Sequence, residues 1–205
     1  MTYNLNYFEY LNRLPKDDGL LLIRSFMLCE SDIRDGFEPY PISLRAINWI
    51  KFISKHGIND EEIDRFLYSD YRWLVKNLEH HILGNHLLEN AFSLLIGAYY
   101  FRDRRLFNKA KKLILAELDE QILSDGAHFE LSPMYHSILF HRVLDCYDIA
   151  RANRQSGSDD LAIFLKGKAV LMTSWLRNIC FSNGTYPHLN DSTDGIAPTA
   201  NELLD

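Results

Sequence analysis

The stretch Gly84-Asn85-His86-Leu87-Leu88-Glu89-Asn90-Ala91-Phe92-Ser93-Leu94-Leu95-Ile96-Gly97-Ala98 decides how the rest of the chain reads. Leu87, Leu88, Ala91, Leu94, Leu95 and Ala98 recur at intervals of three and four, which is the period of a helix and not of a strand. On that helix Asn85, Glu89 and Ser93 share a face, with His86 and Asn90 beside them, so a polar stripe runs along an otherwise apolar cylinder. Folding alone gives little reason for such a stripe. Set against a groove, an amide, an imidazole and a carboxylate are suited to hold an anionic substrate and to move a proton.

The same period recurs along the chain, and no convincing alternating strand precedes the last quarter. The spacing predicts an all-α protein with helices over 4–13, 19–31, 41–56, 60–82, 85–101, 104–123, 133–154 and 159–181, their ends placed to within about two to four residues. Gly57 suits a left-handed helix terminus, and Asn59 with Glu62 three residues on resembles a capping box opening the next helix. Loops of a few residues cannot carry the chain to the far end of such helices, so neighbours pack as antiparallel hairpins in a curved layer or toroid. No fixed-period repeat points to a regular solenoid. Gln155 to Asp160 reads as an exposed loop. Ser182 to Pro198, with Gly184, Pro187, Asn190, Asp191 and Gly195, reads as an ordered or ligand-facing loop.

A chain of 205 residues with 47% hydrophobic content is expected to bury a substantial core as one domain over residues 1–205. No apolar run approaches the roughly 20 residues that span a bilayer, which argues against a membrane role. Met1 to Asn12 lacks the basic start and apolar centre of a signal peptide, so the sequence as written implies a cytoplasmic protein, or a periplasmic or secreted one if it is a truncated product. Cys29, Cys146 and Cys180 are few and widely spaced in apolar helical contexts, pointing to reduced core thiols. A formal charge of -6 argues against a general nucleic-acid binder. A polyanion must be met locally, by Arg45 or by the cluster Arg102, Arg104 and Arg105, although charges at a helix boundary are most often a solvated face.

A second polar cluster runs from Ser124 to His136. Ser132 followed by Pro133 marks a helix start, with the serine capping free N–H groups and the proline at the first helical position. Tyr135 and His136 then fall in the first turn, where the helix dipole favours a phenolate. That effect, about 0.3–1 kcal/mol, moves a pKa by less than one unit, so a tyrosine base there needs a further cation or donor. Neighbouring hairpins are able to bring His128, Glu130, Tyr135 and His136 together with Asn85, His86 and Glu89.

At these residues the chain resembles the heparinase II/III family of polysaccharide lyases, specifically its N-terminal helical toroid domain. The resemblance runs through Tyr3-Asn4-Leu5-Asn6-Tyr7-Phe8-Glu9-Tyr10-Leu11, Glu38-Pro39-Tyr40-Pro41-Ile42-Ser43-Leu44-Arg45 with Asn48-Trp49, His81 to Asn90, Asp125 to His136, and Asn190-Asp191. Each block is weak alone; in this order they are fairly specific. The resemblance implies an incomplete α/α toroid, followed in full-length members by a β-sandwich that this chain stops short of. It implies β-elimination at a uronate of an acidic polysaccharide or oligosaccharide, with Asn85 neutralising the carboxylate, His86 assisting or acting as base, and Tyr135 serving as base or acid. It also implies substrate-binding roles for Glu89, Arg45, Trp49, Glu130, His136, Asn190 and Asp191. Family members draw further groups, and often a structural zinc, from the β-domain, so the resemblance implies little activity in this chain alone and no cofactor within it.

Metal sites are not expected in the chain itself. His80, His81 and His86 are not spaced as ligands on one helical face. Asn190 to Gly195 partly mimics a calcium loop, but its twelfth position is Asn201 and not glutamate. The competing functional reading is a noncatalytic helical glycan-binding or scaffold module, in which the same polar groups would be buried in ordinary hydrogen bonds.

Overall fold

The computed structural model describes residues 5–29, 35–82, 84–153 and 157–204. Asn4, Glu30, Ser31 and Arg154, where three expected helices begin or end, and Gln155 and Ser156 of the expected loop lie outside them. The regular elements of the described residues are helices joined by loops: a 3-10 turn at Glu9–Arg13, then α1 (Lys16–Cys29), α2 (Pro39–His56), α3 (Glu61–Leu74), α4 (His86–Tyr100), α5 (Arg104–Gln121), α6 (Pro133–Ala152), α7 (Ser158–Ile179) and the short α8 (Ala200–Leu204). Among the described residues there is no strand, only an isolated antiparallel bridge between Ile122 and His128, and no helix is long and apolar enough to cross a membrane. The chain forms two compact units, residues 1–110 and 111–205.

In the first unit side-chain pairs fix the helix directions. Arg45 meets Asp70 and Trp49 stacks on Phe66, so α2 and α3 run antiparallel. Ser93 meets Tyr71 and Tyr100 meets Asp64, so α3 and α4 do too. α2 and α4 therefore run side by side, joined where Asn90 donates to Ser43. Both are buried on almost every side: each residue of α4 from Leu87 to Ala98 is enclosed. Close approach requires small residues at the crossings, since a methyl group on Gly19 would overlap the Phe52 ring and one on Gly97 the Tyr71 ring.

Three boundaries differ from expectation. Residues 4–13 are not one helix, because Phe8 adopts φ 58° and drives its ring into a cluster with Phe26 and Trp49, while Asn48 donates to the carbonyl of Tyr7. α3 starts one residue later than the capping box suggested: Asp60, and not Asn59, caps it, accepting from the N–H groups of Glu62 and Ile63. α3 also ends at Leu74 and not near residue 82: the N–H groups of Lys76 and Asn77 turn to the carbonyls three residues back, and the Glu79 N–H donates to the side-chain oxygen of Asn90 and not to a helical carbonyl. Gly57 closes α2 in the left-handed conformation, as read.

In the second unit α6 and α7 form an antiparallel hairpin. His136 in the first turn of α6 lies beside Met172 and Trp175 near the end of α7. Lys111 and Lys168 tie residues 111–121 of α5 to α7 through Asp160 and Asp119. Gly126, at φ +94°, turns the chain flat against the backbone of Leu171, where no side chain fits. Cys146 is a buried core thiol as expected, Cys180 is partly buried, and Cys29 is exposed at the end of α1.

Candidate functional site

Gly84, at φ +95°, turns the chain into α4, so that Asn85 and His86 stand at its start. The Asn85 carbonyl accepts the first helical bond from Glu89, yet its side-chain amide does not cap the helix. His86 is the most accessible member of the stripe, with 37% of its side chain exposed, and its ring lies against Tyr40 at 4.5 Å between centroids. Nδ1 sits 3.2 Å from Oε1 of Glu79, itself buried. With Glu79 ionised its oxygen accepts, so Nδ1 carries the proton and Nε2 presents a lone pair.

Glu79 is held in turn. Asn90 donates to its second oxygen at 3.1 Å and to Ser43, which donates to the carbonyl of Pro39. A chain of hydrogen bonds thus runs from the start of α2 through α4 to the His86 imidazole, fixing its tautomer as carboxylate partners do for working histidines. Glu89, Asn90 and Ser93 have no exposed surface, so most of the polar stripe faces inward and does not line a groove.

In the second unit Ser132 caps α6 as its sequence suggested, accepting from the N–H of Tyr135. The same hydroxyl lies 2.9 Å from the carbonyl of Asp191 and from Oγ of Ser192. Asn190, in the left-handed conformation that asparagine tolerates, donates its amide to the carbonyls of Glu130 and Leu131. The loop after α7 is thereby fastened to the start of α6, and the Tyr135 hydroxyl donates to Oδ2 of Asp191 at 3.3 Å. Burial, then the charges of Asp191 and Glu130, push the Tyr135 hydroxyl above its ordinary value. The helix dipole is outweighed, and Tyr135 is held protonated, a proton donor at neutral pH.

Residues 41–202 match the family described as Heparinase II/III N-terminus. The chain belongs to that family. Among solved structures this heparinase II/III N-terminal domain is similar to heparan sulfate lyase HepC from Pedobacter heparinus, with a TM-score of 0.58 and 20% sequence identity over 74% of this chain and 25% of that chain. The likeness is one of fold, and the chain spans a quarter of the length of that lyase. No curated protein matches the sequence.

Within the heparinase II/III N-terminal domain the expected site residues separate by burial. Asn85, His86 and Glu89 lie on α4 of the first unit; Tyr135, Glu130, Asn190 and Asp191 cluster in the second. Arg45 and Trp49, expected to bind substrate, lie in the aromatic core with no exposed surface. The Arg45 guanidinium is occupied by Asp70 at 3.0 Å, the carbonyl of Gly36 and the face of Phe26. His136 is likewise enclosed, against Trp175, and burial lowers its pKa to about 4. Glu79 was missed because it falls in a stretch read as the end of a long helix. Its one sequence signal is an acidic residue directly after apolar Leu78, ahead of His80 and His81.

Proposed function

We propose that this heparinase II/III N-terminal domain serves a lyase that cleaves a uronate-containing acidic polysaccharide by β-elimination. A base removes the proton α to the uronate carboxylate, a carbon–carbon double bond forms, and the bond to the leaving glycosidic oxygen breaks as that oxygen receives a proton. The Asn85 amide neutralises the carboxylate by hydrogen bonding. His86 Nε2, aimed by Glu79, takes the proton. Tyr135, its hydroxyl donating to Asp191, is the proton donor that the second unit offers for the leaving oxygen. The observation that carries this reading is the half-exposed His86, locked through Nδ1 to a buried carboxylate inside the region that matches the family. Because the matched region is a quarter of the heparan sulfate lyase, residues 1–205 alone are expected to turn over little, with groups from outside them completing the cleft.

Burial of Glu89, Asn90 and Ser93 favours a second reading, a noncatalytic glycan-binding scaffold. An ultraviolet assay for unsaturated uronate ends, run on heparan sulfate and alginate with the longest chain that carries these residues, separates the two. The lyase reading expects product from one of them, with Tyr135→Phe and His86→Ala each losing most turnover while remaining folded. Absence of product from every uronate polymer rejects the lyase; full turnover in Tyr135→Phe removes the role given to its hydroxyl.

A further inference from the structure

At the far end of α4 from His86 the first unit carries a groove of about 630 Å³, continuous with a smaller one of about 410 Å³ through shared walls at Tyr68 and Phe101. Fifteen residues of helix separate the two ends of α4, about 20 Å at helical rise. Arg65 and Arg72 line the groove from α3, and Arg102, Arg104 and Arg105 from the α4–α5 corner. All five are exposed, and the described residues place no carboxylate within ion-pair distance of any of the five guanidinium groups.

The acids of the groove are engaged elsewhere. Asp103 accepts from the Tyr68 hydroxyl and from the N–H groups of Arg105 and Leu106, capping α5; Asp64 accepts from the Tyr100 hydroxyl. Five cations against two such acids leave the groove positive by three, in a protein whose formal charge is -6. Arg102 holds φ 54°, a conformation costly for a side chain with a Cβ, at the corner between α4 and α5. Arg65 and Arg72 are seven residues apart on α3, about 10.5 Å at helical rise, with the exposed Tyr68 ring between them. Guanidinium forks bind carboxylate and sulfate, and an aromatic face packs on the apolar face of a sugar.

We propose that this arginine-lined groove binds an acidic oligosaccharide, as a second contact for the polymer whose cleavage is assigned to the His86 end. The substrate class rests on the lyase reading; the site rests on the groove. A nucleic acid is the competing polyanion, and the polyuridylate arm of the test separates the two.

Heparin and alginate oligosaccharides titrated into the protein by calorimetry test this. Arg102→Ser/Arg104→Ser/Arg105→Ser, and separately Arg65→Ser/Arg72→Ser, should weaken binding about tenfold or more and flatten its salt dependence, with the circular-dichroism melt unchanged. Arg177→Ser, which removes an exposed arginine outside the groove, should bind as the unaltered protein does, and neutral dextran should not bind. Unchanged affinity in both groove variants overturns the site, as does an equal loss of binding in Arg177→Ser. Polyuridylate binding as tightly as the glycans overturns the saccharide assignment. The ultraviolet assay is independent: no unsaturated product would reject the lyase while leaving arginine-dependent binding intact.

Discussion

At the scale of single residues, the least expected group is Glu79. Its carboxylate does two things at once, ordering the loop before α4 through Asn90 and setting the tautomer of His86. Glu79→Gln preserves the shape and the hydrogen-bond acceptor but removes the charge that stabilises an imidazolium. If His86 is the base, kcat should fall about 10–100-fold with little change in KM and in the melting temperature. A rise in KM alone would mean that Glu79 positions substrate and not His86. Arg45 shows the opposite case, a charge whose work is structural. Asp70→Ala would leave its guanidinium buried without a carboxylate and should cost about 3–5 kcal/mol in urea unfolding. A loss under 1 kcal/mol would show that the Gly36 carbonyl and the aromatic faces suffice.

At the scale of elements, Ser132 links a helix to a distant loop. Its hydroxyl caps α6 and touches residues 191 and 192, so Ser132→Ala should cost about 1–2 kcal/mol and also free the loop that carries Asp191. Hydrogen exchange faster at residues 187–195 than elsewhere checks the second effect; uniform change would reduce Ser132 to a cap. That cap was legible in the sequence, as were seven helices and the antiparallel packing of α2 with α3, α3 with α4 and α6 with α7, because apolar period and proline placement are local signals. The break at Phe8 and the early end of α3 were not. Phe8 packs on Trp49, and the N–H of Glu79 beyond the end of α3 is taken by Asn90, contacts with residues outside either stretch that no local pattern announces. The candidate site divides the same way. Asn85, His86, Tyr135, Glu130, Asn190 and Asp191 were named from their blocks, but whether a polar residue on a helix faces water or a buried hydrogen bond is decided by what packs on it. Arg45 and Trp49 were therefore indistinguishable from surface groups until α3 was laid against them.

At the scale of the whole molecule, acid sensitivity should arise in the second unit. His128 and His136 are enclosed there, and burial lowers each pKa from 6.5 to about 4. Nε2 of His128 meets the side-chain oxygen of Gln121 and Nε2 of His136 the carbonyl of Met172, so each ring is accommodated as a neutral donor. The unfolded chain takes up these protons near pH 6.5 while the folded chain resists until about 4. Stability is therefore fully present above pH 6.5 and is lost as pH falls through that window, by up to about 3 kcal/mol per histidine. The capping carboxylates Asp60 and Asp103, whose pKa values are lowered below 3.8, withdraw their contribution at more acidic pH and do not account for a loss between 6.5 and 4. The urea midpoint should drop steadily from pH 7 to pH 4.5, and His136→Gln, which keeps a donor for Met172, should halve that slope even if it lowers stability at neutral pH. A midpoint independent of pH over this range would mean that the two rings are hydrated in solution, and that the second unit opens where it packs closed here.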